Sequence, residues 1–347
     1  RMDIYRRQTP PQLPLPCTAL YIPLFPQLVA GPIIRYKDIA AQLVHRTVGI
    51  ERFSKGINRF IIGLGKKVLI ANVVALPADK IFAIPAEHLT TPVAWLGIVC
   101  YTVQIYFDFS GYSDMAIGLG HMFGFKFMEN FNYPYVSRSI QEFWRRWHIS
   151  LSTWFRDYLY IPLGGNRCGQ VKMYRNLVAI FFLCGLWHGA SWNFVIWGLF
   201  HGFFSVLERF PLGKRLTQGN AVVAHVYPML VVMVAWVFFR AETLPQAMAF
   251  IKAMAGFAQG SGVVWHMGLF LNPKVVIVLC LAAIGVTPIL PRLTQWREQR
   301  LVARPAGAAV GLGLEALASL VLLPAVFVLC AMSLASGTHN PFIYFQF

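Results

Sequence analysis

Long uninterrupted apolar segments dominate the pattern of hydrophobic and polar positions along the chain. Residues 177–207 contain no Asp, Glu, Lys or Arg, and residues 306–335 contain a single charged residue, Glu315. A helix needs roughly 20 apolar residues to span the hydrocarbon core of a bilayer. We therefore predict an all-α polytopic membrane protein, with spans over residues 176–187, 190–208, 222–239, 275–290 and 310–335.

The N-terminal half contains apolar segments that are interrupted. Residues 17–34 carry three prolines, which predicts a kinked or re-entrant element rather than a regular span. Residues 58–82 are apolar on both sides of a Lys-Lys pair, which indicates a partly buried or interfacial helix. Residues 92–107 and 112–125 are predicted to be two separate apolar helices, because the polar sequence Asp-Phe-Ser-Gly joins them.

Residues 139–160 have a different, amphipathic pattern. Ser139 and Glu142 have the spacing of a capping box, and apolar residues follow at helical intervals. The charged residues lie largely off this apolar stripe. The pattern predicts one amphipathic helix that lies at the membrane or dips into it rather than crossing it.

Composition and charge support a membrane protein and argue against a nucleic-acid partner. Hydrophobic residues make up 57% of the chain and charged residues only 13%. The net charge of +16 can indicate nucleic-acid binding. However, Lys and Arg concentrate at 35–67 and 126–175, between apolar segments, as in cytoplasmic loops. We predict that these two segments face the cytoplasm, where they can also meet an anionic cofactor.

Metal and disulfide chemistry receive no support from the sequence. The six cysteines are scattered and form no Cys-x-x-Cys pair, so neither a zinc site nor a disulfide framework is predicted. No His-Glu-x-x-His or EF-hand spacing occurs either. We therefore predict no metal site.

His188 is the leading candidate for chemistry, because it lies inside an apolar segment in the sequence Leu-Trp-His-Gly-Ala-Ser. An imidazole titrates near neutral pH and can take a proton from an attacking hydroxyl group. Gly189 and Ala190 leave room for a substrate. The alternative is a structural histidine, hydrogen-bonded to a carbonyl group at a helix break, and the residues alone do not separate the two interpretations.

Other polar residues in apolar surroundings give weaker signals. His148 lies beside Trp147; it can orient a substrate, act as a second base or hold its helix to a loop, and the structural role is slightly favoured. His201 is interpreted as a hydrogen-bonding partner between helices. Asp108 and Asp114 can be paired catalytic acids, but capping of helix ends is the preferred interpretation.

Five long sequence segments stand out along the chain. They are DFSGYSDMAIGLG (108–120), EFWRRWHISLSTW (142–154), RDYLY (156–160), LGGNR (163–167) and LWHG (186–189). Together they resemble the membrane-bound O-acyltransferase (MBOAT) family. Within the family, the similarity is greatest to integral membrane members of alginate O-acetylation, and members of cellulose acetylation and of teichoic acid D-alanylation are similar. The resemblance implies one membrane domain over residues 1–347, a helical bundle around a central funnel or tunnel. Complete members have further spans ahead of Asp3, which we expect this chain to lack.

The resemblance also implies a function. It is the transfer of acetyl groups from a cytoplasmic thioester donor across a bacterial inner membrane, for O-acetylation of an exported polysaccharide, alginate or cellulose. The expected donor substrate is acetyl-CoA, with no bound cofactor. Expected partners are periplasmic acetyltransferase subunits, a polysaccharide export and synthase complex, and membrane lipid. The alternative is a non-catalytic transporter or scaffold of such a complex.

Three residues are expected to carry the chemistry. His188 matches the characteristic membrane histidine of the family, and this match favours a catalytic base. His148 matches the second histidine of the family and is expected to position the donor or the acceptor. Tyr344 lies in a Phe- and Tyr-rich C-terminal tail like that of relatives. It is expected to be either an acyl relay or an aromatic anchor at the membrane interface.

Overall fold

The computed structural model describes residues 2–7, 15–24, 26, 28, 31–258, 265–303 and 305–337. Regular structure in these residues is helical, without a strand, which confirms the predicted all-α fold. The tail residue Tyr344 lies outside the described residues. The chain divides into two compact units: residues 1–69 with 107–130 and 288–340, and residues 70–106 with 131–287 and 341–347.

The helices follow one another along the whole chain, in an order we label α1 to α16. The first eight are α1 (Met2–Tyr5), α2 (Leu15–Tyr21), α3 (Tyr36–Val44), α4 (Ile50–Gly65), α5 (Asn72–Phe82), α6 (Thr91–Met122), α7 (Ile140–Arg146) and α8 (Ile149–Phe155). The remaining helices are α9 (Gln170–His188), α10 (Trp192–Leu207), α11 (Pro211–Gln218), α12 (Ala221–Arg240), α13 (Leu244–Met254), α14 (Pro273–Gly285), α15 (Ile289–Ala303) and α16 (Pro305–Ala335). Two π-helical segments, Lys66–Ala71 and Arg156–Tyr160, continue α4 and α8.

Several helices are long and apolar enough to cross a membrane. They are Ile50–Phe82, which joins α4, the π segment and α5, together with α6 and α12. Pro273–Gly285 with Ile289–Arg297 counts as a fourth span if this broken pair is one crossing. These helices confirm a multi-pass membrane protein. The prediction of two separate helices at 92–107 and 112–125 was wrong, because α6 runs through the polar sequence between them.

Local sequence sets the start of several helices in the second unit. Asn220, Thr243 and Asn272 immediately precede α12, α13 and α14, and the side chain of each accepts a backbone N–H from the first turn. Such caps satisfy N–H groups that have no partner inside the helix. Proline follows the cap directly in α14, where its missing N–H carries no cost.

In the first unit, α4 packs against the C-terminal half of α6 through glycine. A Cβ atom at Gly56 would lie 2.6 Å from the carbonyl oxygen of Gly118, and one at Gly63 would lie 2.5 Å from that of Gly111. A Cβ atom at Gly118 would likewise lie 2.6 Å from the carbonyl oxygen of Gly56, and one at Gly111 would lie 2.7 Å from that of Gly63. Only glycine permits this approach of the two backbones, which is typical of helix pairs in membranes.

Three acidic and three basic side chains connect α4 and its π-helical extension to α6 and to the segment that follows α6. Asp114 accepts hydrogen bonds from Arg59 and Lys66, with nitrogen–oxygen distances of 2.6 Å to each. Lys67 pairs with Asp108, and Arg59 also contacts Glu129 at 2.6 Å. We call these six residues the charge network; its formal charges sum to zero.

The charge network corrects two predictions. Asp108 and Asp114 do not cap helix ends, because both lie inside α6 and pair with cations from α4 and its π-helical extension. Part of the basic segment 35–67 is also not a loop, since its last three basic residues belong to that network. Burial of ionisable groups in a span requires partners of opposite charge, and the local sequence did not reveal these partners.

Candidate active site

The site is built on the hairpin of α9 and α10 in the second unit. A Cβ atom at Gly185 would clash with the carbonyl oxygen of Phe194, and one at Gly198 with that of Phe181. These glycines therefore allow the two backbones to touch. His188 is the last residue of α9, at the point where the chain leaves the helix and turns into α10. His188 thus lies in the gap between the predicted spans 176–187 and 190–208.

Aromatic side chains surround His188. The ring centroid of its imidazole lies 4.9 Å from that of Trp197 and 5.1 Å from that of Phe239, both nearly perpendicular to it. The amide of Asn193 holds α10 to the end of α12, where Phe239 lies, by donating to the carbonyl oxygen of Ala241 at 2.6 Å. The imidazole makes no hydrogen bond to another described residue. The hydrogen bond that the structural interpretation required is therefore not found in this part of the chain.

The predicted single helix at 139–160 is broken. Helix α7 ends at Arg146, and α8 begins at Ile149. His148, between them, has φ +44° and ψ +55°, in the left-handed region that non-glycine residues rarely adopt. This prediction was wrong because the apolar stripe continues on both sides of the break, where Phe143 and Leu151 are both buried. Strained backbone at a polar residue often accompanies a functional site.

The predicted cap of α7 is confirmed. The Ser139 hydroxyl oxygen accepts the N–H of Glu142 at 2.9 Å. Glu142 accepts the N–H of Arg138 at 2.8 Å and pairs with Arg146 at 2.8 Å. Burial raises the pKa of Glu142, but these hydrogen bonds and the charge of Arg146 outweigh it and hold the pKa below its ordinary value.

A second carboxylate, from the end of α10, also meets the start of α7. Glu208 accepts the first two N–H groups of α7, those of Ile140 and Gln141. Burial nevertheless raises the pKa of Glu208 above its ordinary value, against the effect of these bonds. The start of α7, and with it the chain that leads to His148, is thus fixed to α10.

The structure brings the two predicted histidines together. His148 is 3% exposed, and its Nδ1 lies 3.3 Å from the Ser150 hydroxyl oxygen. The ring centroid of Trp187 lies 6.4 Å from that of His148 and 4.8 Å from that of His188. The pair was predicted, but its geometry around Trp187 was not.

Two cavities are lined in part by residues of α7. One, of about 170 Å³, is largely apolar and includes Leu151 and Cys184, which lie within one helical turn of His148 and His188. Neither histidine is among its lining residues. The other, of about 570 Å³, is polar and lined by three arginines and two glutamates, among other residues. Gln141 lines both cavities.

His201 is the residue that the sequence analysis underestimated. It was predicted to be a hydrogen-bonding partner between helices, which is wrong: it is 0% exposed, and neither ring nitrogen has a hydrogen-bond partner among the described residues. The surrounding side chains are aromatic, including Trp144 and Trp197. The spacing of Trp197 and His201, one helical turn apart in α10, was the only signal in the sequence.

Comparison with known proteins identifies the family of the chain. The family model of the membrane-bound O-acyltransferases matches residues 8–213. A "probable alginate O-acetylase AlgI" of Pseudomonas putida is 44% identical over the whole chain, which covers 72% of that relative.

Two relatives whose names state other activities are also similar to this chain. A "peptidoglycan O-acetyltransferase" of Helicobacter pylori is 43% identical over 69% of the chain and 46% of the relative. A "teichoic acid D-alanyltransferase" of Bacillus subtilis is 34% identical over 55% of the chain and 50% of the relative. These similarities favour an enzyme over a transporter or scaffold. The chain is an O-acyltransferase and belongs to the membrane-bound O-acyltransferase family.

Proposed function

We propose that the chain takes acetyl groups from cytoplasmic acetyl-CoA and passes them across a bacterial inner membrane for O-acetylation of an exported polysaccharide. The observation that carries this proposal is that one residue, Gln141, lines both cavities. One cavity is polar and lined by arginines, and the other is apolar and lined by Leu151 and Cys184, each within one helical turn of a histidine. This arrangement fits a ligand with an anionic head and a slender thioester arm.

The arginine-lined pocket suits the phosphate groups of acetyl-CoA. The carboxylates of its two glutamates, Glu142 and Glu208, already accept hydrogen bonds from backbone N–H groups at or just before the start of α7. Glu142 also forms an ion pair with Arg146. The guanidinium group of Arg145 makes no hydrogen bond or ion pair with another described residue. Arginine binds phosphate through two parallel hydrogen bonds, so a guanidinium group without a partner is well suited to this ligand.

The chemistry assigned to His188 is that of a general base. The neutral imidazole accepts the proton of an acceptor hydroxyl group as the hydroxyl oxygen attacks the thioester carbonyl carbon. The carbon–sulfur bond then breaks, the proton passes to the departing sulfur, and CoA leaves as a thiol. His148 holds the donor or the acceptor in the orientation that this attack requires.

Tyr344 is a candidate acceptor of the first transfer. A phenol titrates near pH 10, roughly, so it needs a base within hydrogen-bond reach to act as a nucleophile. In the relay version of the proposal, that base is His188. In the other version, the tail is an interfacial anchor and the hydroxyl acceptor lies on another molecule. Polymer acetylation by Tyr344→Phe, which keeps the ring and removes only the hydroxyl group, separates the two versions.

The polymer and the partners are proposed from the relatives. Alginate is the polymer in the name of the Pseudomonas putida relative, which aligns over the whole chain, and we favour it over cellulose. Periplasmic acetyltransferase subunits and a polysaccharide export and synthase complex would complete the pathway. Acetyl content of alginate in a Pseudomonas host that lacks its own alginate O-acetylase, with and without this chain, tests the choice of polymer.

The donor and the base are tested with purified protein in detergent, acetyl-CoA and an alginate oligosaccharide as the hydroxyl acceptor, by following release of the CoA thiol. We expect His188→Ala to abolish release. Arg145→Ala should raise KM for acetyl-CoA about tenfold, the loss of one charged hydrogen bond, with kcat unchanged. Lys172→Ala is the matched control, because Lys172 is exposed and does not line the pocket. Full thiol release by folded His188→Ala protein would refute the assigned base, and an unchanged KM in Arg145→Ala would refute the donor pocket.

A further inference from the structure

We propose that His201 is a positioning residue for the acyl transfer and acts on His188 through the indole ring of Trp197. The inference rests on the proposed role of His188 as the base. It concerns a residue that neither the family comparison nor the chemistry above uses. Three observations carry it: the complete burial of His201, the lack of hydrogen-bond partners, and the geometry of the rings around it.

Burial of an imidazole without hydrogen bonds is unfavourable. Both nitrogens of His201 are buried and lack a hydrogen-bond partner among the described residues. Phenylalanine would fill the same aromatic surroundings without that cost. A buried unsatisfied polar group in a folded protein therefore needs a specific explanation. The rings in contact with His201 supply one, because an aromatic face can accept an N–H group.

The two indole rings beside His201 have the geometry for such contacts. The centroid of His201 lies 5.2 Å from that of Trp197 at an interplanar angle of 78°, and 5.1 Å from that of Trp144 at 83°. Edge-to-face arrangements of this kind are attractive, and a ring N–H directed at an aromatic face adds a weak hydrogen bond. A neutral imidazole has one N–H group and can therefore donate to the face of only one indole ring at a time.

Trp197 is the indole that connects His201 to the proposed base. Its centroid lies 4.9 Å from that of His188, at an interplanar angle of 85°. Trp197 is 1% exposed and also packs against Trp236 and Phe239, so its ring has little freedom to rotate. His201 thus contacts one side of a fixed indole, and that indole supports the imidazole that must point at the acceptor hydroxyl. Trp144, by contrast, lines the apolar cavity.

The test compares His201→Phe, Trp197→Phe and the double variant in the thiol-release assay with acetyl-CoA. His201→Phe keeps an aromatic ring and removes both nitrogens. We expect kcat to fall on the order of 10- to 100-fold, the effect of a small misplacement of a reacting group, with KM for acetyl-CoA unchanged. The double variant should lose no more than the larger single loss, since both residues act through one contact. Phe203→Ala is the control, because Phe203 is an exposed aromatic residue of the same helix.

The outcomes separate this inference from the proposed function. Wild-type kcat in folded His201→Phe protein, or additive losses in the double variant, would overturn the positioning role. If His201→Phe does not elute as a folded protein in size-exclusion chromatography, Trp197→Phe decides: a lower kcat at constant KM supports the role, and an unchanged kcat overturns it. An active His188→Ala protein in the same assay would instead overturn the proposed base itself.

Discussion

Removal of one carboxylate should destabilise the first unit strongly. The Asp114 side chain is 9% exposed and contacts Arg59 and Lys66 at 2.6 Å each. In Asp114→Ala, Arg59 keeps its pair with Glu129, whereas Lys66 loses this counterion. Breaking a fully buried ion pair costs about 3–5 kcal/mol. Because the side chains of Lys66 and Arg59 are 27% and 33% exposed, we take the lower limit, about 3 kcal/mol.

Thermal unfolding of the purified chain in detergent measures the effect. The unfolding entropy is about 2.1 cal/mol/K per residue, or roughly 0.7 kcal/mol/K for this chain of 347 residues, so we expect Tm to decrease by roughly 4 °C. The double variant Asp114→Ala with Lys66→Met removes both charges of one pair and should recover at least half of that decrease. Glu51→Ala is the matched control, because the Glu51–Lys55 pair is exposed on the same helix and should not affect Tm measurably.

Two results would contradict the reasoning on Asp114. One is a decrease in Tm no larger than that of Glu51→Ala, which would mean that solvent already screens the network. The other is a double variant no more stable than Asp114→Ala alone. In that case the loss would come from packing at position 114, not from an uncompensated cation.

Two further predictions concern the glycine contact and the cap of α7. Gly63→Ala should cost about 1–3 kcal/mol by overpacking against Gly111, seen as a lower Tm, whereas Gly49→Ala, with no atom within 4 Å of its Cβ, should not. The folded-state pKa of Glu142 is depressed, so its stabilising contribution is present above the ordinary value of 4.5 and is lost as pH falls through the folded pKa. Wild-type protein should therefore lose more Tm between pH 6 and pH 3, roughly the range of that titration, than Glu142→Gln does; equal losses would contradict this.

The sequence predicted the features that depend on local pattern. The cap at Ser139 and the apolar helix over 222–239 follow from neighbouring residues, and the structure has both. The family is also recognisable from long specific strings. His188 and His148 were identified from the sequence alone, because of the chemistry of histidine and because both lie in these family motifs. Their catalytic roles stay predictions.

The features that the sequence did not predict depend on distant partners. The polar sequence at 108–111 has the composition of a helix break, but α6 continues through it because Lys67, from the π-helical extension of α4, neutralises its one carboxylate, Asp108. The break at His148 interrupts an apolar stripe whose residues are buried on both sides, so periodicity alone gave no sign of it. His201 lacks a hydrogen-bond partner among the described residues because aromatic rings from α7, α9 and α10 surround it. The packing of these three helices against one another cannot be predicted from a local sequence pattern.

The charge network has a consequence for how the protein enters the membrane during synthesis. A lone lysine or arginine at the centre of a span opposes insertion by about 2.5–3.5 kcal/mol. Arg59, Lys66 and Lys67 therefore each weaken the partitioning of their segment into lipid when it leaves the ribosome. The counterion Asp108 follows Lys67 only 41 residues later. The two spans should insert more favourably together than one after the other, because Asp108 and Asp114 of the second span then pair with Lys67 and Lys66 of the first.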